Sequence, residues 1–183
     1  MDAAESNLLA AERVASLLAE NGVPAVVIGG VALAAHRYVR HTEDIDLGVD
    51  ADVPKMQALA AVLRGEGFVV DFHEPDGDDP LGGVMDISGS FGLVQVVSFA
   101  NRFPAVIRDA LASEEVRIRP GSALLLVPLA QLVALKLYAG GTSSKSDIIE
   151  LLRRNPEADL DAIRDTCRRY RLRGLNAVLE ELA

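Results

Sequence analysis

The sequence predicts an α+β fold: a β-sheet flanked by helices, with a helical C-terminal part. Three observations predict it. Short apolar runs bounded by Gly, Pro and Asp recur through the first two-thirds of the chain, as strands require. From Pro128 onward the apolar residues recur at offsets of three and four, as helices require. Half of the 183 residues are hydrophobic, enough for a sizeable core, and with no Trp and 4% aromatics that core must be aliphatic. The division is expected at 127/128, with 1–127 an α/β core and 128–183 a helical part packed on it as one compact unit.

The elements follow in order. Residues 2–21 form an amphipathic helix with Leu8, Leu9, Val14, Leu17 and Leu18 buried; Asp2 and Glu5 have capping-box spacing, and Gly22 stops the helix. Residues 23–28 form a strand, 31–39 a short Ala-rich helix, and Asp44–Val49 a second strand. Asp52 and Pro54 open a helix that ends at Gly65 or Gly67. Residues 68–72 form a strand, and 73–83 an acidic Pro/Gly loop. Residues 84–88 and 93–99 read as a hairpin around Gly89-Ser90-Phe91-Gly92. A helix is expected over 101–112, two short strands over 116–119 and 123–127, and then helices beginning near Leu129, Ser144, Asp159 and Gly174.

The chain is organised around the segment from Val26 to Val49. Val26-Val27-Ile28 delivers it into Gly29-Gly30, thirteen residues follow, and then comes Asp44-Ile45-Asp46-Leu47. Side chains alternate along a strand, so Asp44 and Asp46 share one face while Ile45 and Leu47 point into the core. Two carboxylates ~6–7 Å apart on one strand face repel. A hard divalent cation, Mg²⁺ or Mn²⁺, removes that repulsion. The two glycines let backbone N–H groups and a helix N-terminus approach phosphate oxygens. Phosphates at one end and a metal at the other describe a nucleoside triphosphate site. The alternative is a tight strand–helix turn followed by a strand with two solvated Asp.

Ile28-Gly29-Gly30 and Asp44-Ile45-Asp46-Leu47 together resemble the signature of the nucleotidyltransferase superfamily, hydrophobic-Gly-Gly/Ser followed by Asp-hydrophobic-Asp/Glu-hydrophobic. Arg40-His41-Thr42-Glu43-Asp44 resembles the Arg-x-Thr-x-Asp lead-in of its minimal bacterial members, including toxins of AbiE-type toxin–antitoxin pairs. The resemblance implies a nucleotidyltransferase-like mixed β-sheet flanked by helices. It also implies metal-dependent transfer of NMP from an NTP to an acceptor: RNA, protein or small molecule. An antitoxin partner is implied by the toxin-like lead-in. The rival reading is a catalytically weak or inactive module of a toxin–antitoxin-like system that binds nucleotide or partner.

Lys136 shares a helix face with Leu129, Leu132 and Val133, so it either snorkels or serves a pocket. The run from Val127 to Leu137 resembles the family helix whose Lys contacts the triphosphate. Asp147 precedes an Ile148-Ile149 pair as in related chains, yet Ser144 and Asp147 also have capping-box spacing. The family's third carboxylate, general base and ligand of the catalytic metal, falls by alignment on Gln95, and an amide accepts no proton. A hairpin turning at Gly89 to Gly92 pairs Asp86 with Gln95, which would let Asp86 supply the carboxylate from the neighbouring strand. Asp86 as a solvated strand residue is the alternative.

Charge and cysteine bound the rest. Net charge is −9; residues 1–144 hold 10 Lys and Arg against 19 Asp and Glu, whereas 145–183 hold 8 against 8. An acidic body argues against a general nucleic-acid coat. The cluster Arg168, Arg169, Arg171, Arg173 suits either a specific RNA or helix ends. The single cysteine, Cys167, excludes an internal disulfide and has no nearby His to activate it. His36, on the alanine face, is expected at the core or its rim, and no histidine spacing suits a metal. No leader or membrane span is expected, placing the chain in the cytoplasm.

Overall fold

In the computed structural model, residues 3–42, 44–76, 81–113 and 116–182 are described. The Asp2 cap and part of the acidic loop lie outside the described residues. The elements are α1 (Ala3–Glu20), β1 (Val26–Ile28), α2 (Gly29–Ala35), β2 (Asp44–Val49), α3 (Val53–Gly65), β3 (Val69–His73), β4 (Val84–Gly89), β5 (Gly92–Ser98), α4 (Pro104–Ala112), β6 (Leu125–Leu126), α5 (Leu129–Ala139), α6 (Gly141–Arg154), α7 (Leu160–Arg169) and α8 (Leu175–Glu180). The strands form one mixed sheet in the order β3-β4-β5-β2-β1-β6. β2 runs parallel to β5 and β1 parallel to β6; the other neighbours are antiparallel.

The two faces of the sheet differ because the apolar pattern alternates. Ile45, Leu47, Met85, Ile87, Val94 and Val96 are buried on one face, where α1 packs over β2 and β5. Asp44, Asp46, Asp86 and Gln95 stand on the other face and stay half-buried. That second face is polar only in part. At Gly48, two residues beyond Asp46, it meets Ile107 of α4, and a Cβ there would lie 2.8 Å from the Ile107 Cδ1 atom. α4 therefore closes one end of β2 and leaves the carboxylate end open. The aliphatic core runs without a break from Ala11 to Val178.

Local chemistry explains most boundaries. Asp52 caps α3 by accepting the Lys55 N–H at 2.9 Å, with Pro54 in the first turn. α4 begins at Pro104, not at Asn101, because the residue before a proline is disfavoured in the helical region, and Phe103 sits outside it at φ −142. α2 ends at Ala35, four residues short of the expected 39; Arg37 adopts φ +68 and Tyr38 N–H bonds back to Leu33. The strand expected over 116–119 reduces to one bridge, Arg117 to Leu125, and that over 123–127 to Leu125–Leu126. Across the turn between them, closed by Ser122 N–H on Arg119 O, Ile118 N–H donates to Leu124 O and Leu126 N–H to Val116 O.

Candidate active site

β1 passes into α2 without a loop, and Gly29 makes the turn at φ +63. A Cβ on Gly29 would lie 1.7 Å from Asp46 Oδ2, and one on Gly30 would lie 2.7 Å from Thr42 Cβ. The absent side chains thus let the carboxylate strand close down onto the turn. Gly30 N–H donates to the Asp46 carboxylate, and Thr42 Oγ1 donates to Asp44 Oδ1 at 2.6 Å. Thr42 went without a role in the sequence; its signal was its place two residues before Asp44.

Gly29→Ala should therefore force Asp46 off its seat and strain the turn by about 1–2 kcal/mol. The expected result is loss of nucleotide-induced thermal stabilisation together with a lower unfolding temperature. Gly30→Val should also lose stability, because Thr42 fills the space a larger side chain needs. A Gly29→Ala protein that keeps the full nucleotide-induced shift would show that Asp46 need not sit on the turn.

The Asp46 carboxyl is pushed up to about 6, first by burial and then by the Asp44 charge; Lys136, the Gly30 N–H and Arg40 pull the other way. A carboxylate held this reluctantly gains when a cation arrives. Two carboxylates on one open face fit Mg²⁺, which takes one or two protein carboxylates and completes its shell with water and phosphate. Among the described residues no set of three or more His, Cys, Asp or Glu side chains converges into a complete cage.

Lys136 does not snorkel. Its side chain is 14% exposed and its Nζ lies 2.8 Å from Asp147 Oδ2. Asp147 is not a cap either: α6 begins at Gly141, so Asp147 falls in the second turn and is buried. The capping-box reading fails because Gly140 and Gly141, both at positive φ, start the helix three residues early. Arg40 approaches the same Asp147 oxygen at 3.9 Å. Lys136 also lines a cavity with Ile28 and Gly29, and its charge acts on Asp46.

The sheet register sets Asp46, Gln95, Asp86 and Asp71 directly opposite one another on adjacent strands. Asp86 pairs with Gln95 as the hairpin length predicts, and Gln95 Nε2 donates to Asp86 Oδ1 at 2.7 Å. His73 Nε2 lies 3.4 Å from Asp86 Oδ2. At ~4.8 Å per strand, Asp86 stands roughly 10 Å from Asp46 along the row, with Gln95 between them.

The remaining candidates fall elsewhere. Cys167 is buried, and burial pushes its thiol up to about 11, which disfavours the thiolate a nucleophile needs. Arg168 pairs with Asp165, and Arg169 with Asp109. His36 sits at the rim of the core, where its Nε2–H donates to Val127 O at 2.8 Å. Burial holds its pKa below the ordinary value. The folded state then binds fewer protons than the unfolded one, so this stability is full above pH ~6.5 and is lost as pH falls below it. Between pH 7.5 and 5.5 the raised Asp46 carboxyl works in the opposite sense, so the test is a difference: the urea midpoint should fall further, or rise less, in the parent than in His36→Gln, and equal changes would remove His36 as the cause.

Comparison with solved structures identifies the fold. The crystal structure of ANT(2'')-Ia in complex with adenylyl-2''-tobramycin matches with a TM-score of 0.54 at 15% identity, covering 90% of this chain and 96% of that one. The solution structure of the antibiotic-resistance factor ANT(2'')-Ia matches with a TM-score of 0.55 at 18% identity, covering 99% and 97%. The chain has the nucleotidyltransferase fold. An antigenic nucleotidyltransferase-like protein from Paracoccidioides brasiliensis shares it, with a TM-score of 0.54 at 16% identity over 90% of this chain and 87% of that one. No protein-family model and no curated protein matches the sequence. Against the nucleotidyltransferase fold, Gly29-Gly30, Asp44 and Asp46 stand together, Lys136 and Asp147 adjoin them as a pair, and Asp86 stands two strands away. Among the described residues no helix is long and apolar enough to cross a membrane.

Proposed function

We propose that the chain transfers a nucleoside monophosphate from a metal-bound NTP to an acceptor hydroxyl. The observation that carries this reading is the seating of Asp46 on the Gly29-Gly30 turn with Asp44 beside it on the open face of β2. Asp44 and Asp46 would hold Mg²⁺ or Mn²⁺, which when bound supplies Lewis-acid polarisation of the phosphates and neutralises their charge.

The protein's own residues do the rest. Lys136 meets the triphosphate as a compact positive charge. Asp147, buried against it, orients the ammonium. In the transfer itself the acceptor oxygen forms a bond to the α-phosphorus. The bond from that phosphorus to the bridging oxygen breaks, and pyrophosphate leaves with the electron pair. The hydroxyl proton goes to Asp86, the carboxylate that Gln95 holds by a hydrogen bond. Gln95 orients that carboxylate through its amide N–H.

Incubation with each of the four α-labelled NTPs, Mg²⁺ and a cell extract tests this reading. Label should move to one acceptor fraction, whether RNA, protein or small molecule, and only with Mg²⁺ present. Label in no fraction with any nucleotide would overturn it.

A further inference from the structure

We infer that Arg40 is a second phosphate-binding cation, closing with Lys136 on the two phosphates that leave as pyrophosphate. The inference rests on the nucleotidyl-transfer reading above and adds a residue to its leaving-group side. Arg40 lies in the connection between α2 and β2, and that connection is pinned at both ends. At one end Asn155, which caps α6, donates to His36 O at 2.8 Å. Arg37 pairs there with Glu157 at 2.6 Å, and the Arg154 guanidinium lies 5.5 Å from the centre of the Tyr38 ring. At the other end Thr42 donates to Asp44. The loop is thus tied to the helix that carries Asp147 and to the strand that carries Asp44 and Asp46. Arg40 stands between the ties.

Reach and charge decide its role. Arg40 Nη2 approaches Asp147 Oδ2 at 3.9 Å, too far for a hydrogen bond, whereas Lys136 Nζ holds the same oxygen at 2.8 Å. Both cations also act on Asp46. Among the described residues, then, two cations face one buried carboxylate, and the loosely held one is Arg40, 41% exposed. Asp44 and Asp46 serve the metal in that reading, so the surplus positive charge is available to phosphate. They also mark the end of the nucleotide where the α-phosphorus reacts, which leaves the β- and γ-phosphates to the cations grouped around Asp147. Negative charge builds on those phosphates as the bond to the α-phosphorus breaks. A guanidinium presents a planar fork of donors to phosphate oxygens, where the ammonium of Lys136 is a point charge.

Calorimetric titration with Mn²⁺–NTP and with the matching Mn²⁺–NMP tests the inference, and neither Kd needs turnover. Arg40→Gln should raise the Kd for NTP at least about tenfold, the low end for a hydrogen bond to a charged group. Its Kd for NMP should stay within about twofold of the parent's, because the monophosphate lacks the two groups that Arg40 meets. Arg40→Lys keeps the charge and loses the fork, so it should recover part of the NTP affinity; should Arg40→Gln not fold, the same split between NTP and NMP is read in Arg40→Lys. Val39→Ser, at an exposed neighbour, should leave both constants unchanged. Parent-like NTP binding by Arg40→Gln, or equal losses of NTP and NMP, would overturn the assignment of Arg40 and leave the nucleotide reading standing. A parent that binds no Mn²⁺–NTP would overturn both.

Discussion

Replacing Asp44 and Asp46 together by Asn should abolish stabilisation by Mn²⁺ and nucleotide. In the parent, a hundredfold excess of ligand over Kd stabilises by ~2.7 kcal/mol through mass action. The double variant removes both oxygen anions from the open face of β2, and amide oxygens are poorer ligands for a hard cation. The unliganded variant should also be more stable than the parent. Burial and the Asp44 charge both oppose ionisation of Asp46, and the amides relieve that opposition. Thermal unfolding of both proteins, with and without Mn²⁺ and nucleotide, reads both effects at once. A double variant that keeps the full ligand-induced shift would remove these carboxylates from the site.

The second large effect concerns the row Asp46, Gln95, Asp86. Asp86→Asn should lower pyrophosphate release by about 10²–10⁴-fold, the usual contribution of a positioned general base. The fold should survive, since Asn keeps the shape and can still accept from the Gln95 amide at that 2.7 Å contact. Gln95→Asp gives the contrasting protein, because it puts a carboxylate next to Asp46 in the register. Loss in Asp86→Asn supports the displaced base. Gain confined to Gln95→Asp means that the parent binds nucleotide and lacks the carboxylate needed for turnover. Parent-like release by Asp86→Asn would take Asp86 out of the mechanism.

What the sequence disclosed and what it withheld follow from the range of each interaction. The facing of β2 was legible from Asp44 to Leu47 because alternation is local; from Gly48 on, where α4 covers the second face, every residue is buried. The Asp86–Gln95 pairing was legible because a two-residue turn sets hairpin register. The partnership of Lys136 with Asp147 was not, since it joins two helices across a turn whose glycines admit more than one starting point. Nor was the packing role of Gly29 and Gly30 visible. A glycine pair signals backbone freedom, but only the fold reveals that Asp46 and Thr42 occupy the vacated space. The short β6 reflects the same limit, because its partner is β1, about a hundred residues earlier in the chain.

Nucleotidyl transfer at Asp44 and Asp46 breaks the bond between the α-phosphorus and the oxygen that bridges to the β-phosphate. The most direct measurement compares NTP labelled at the α-phosphorus with NTP labelled at the γ-phosphorus, each incubated with Mg²⁺, acceptor-containing extract, and either the parent or the double Asn variant. Acceptor label should come from the α-position alone, and be absent without Mg²⁺ and absent with the variant. Label arriving from the γ-position, or equal α-label with the variant, would contradict it.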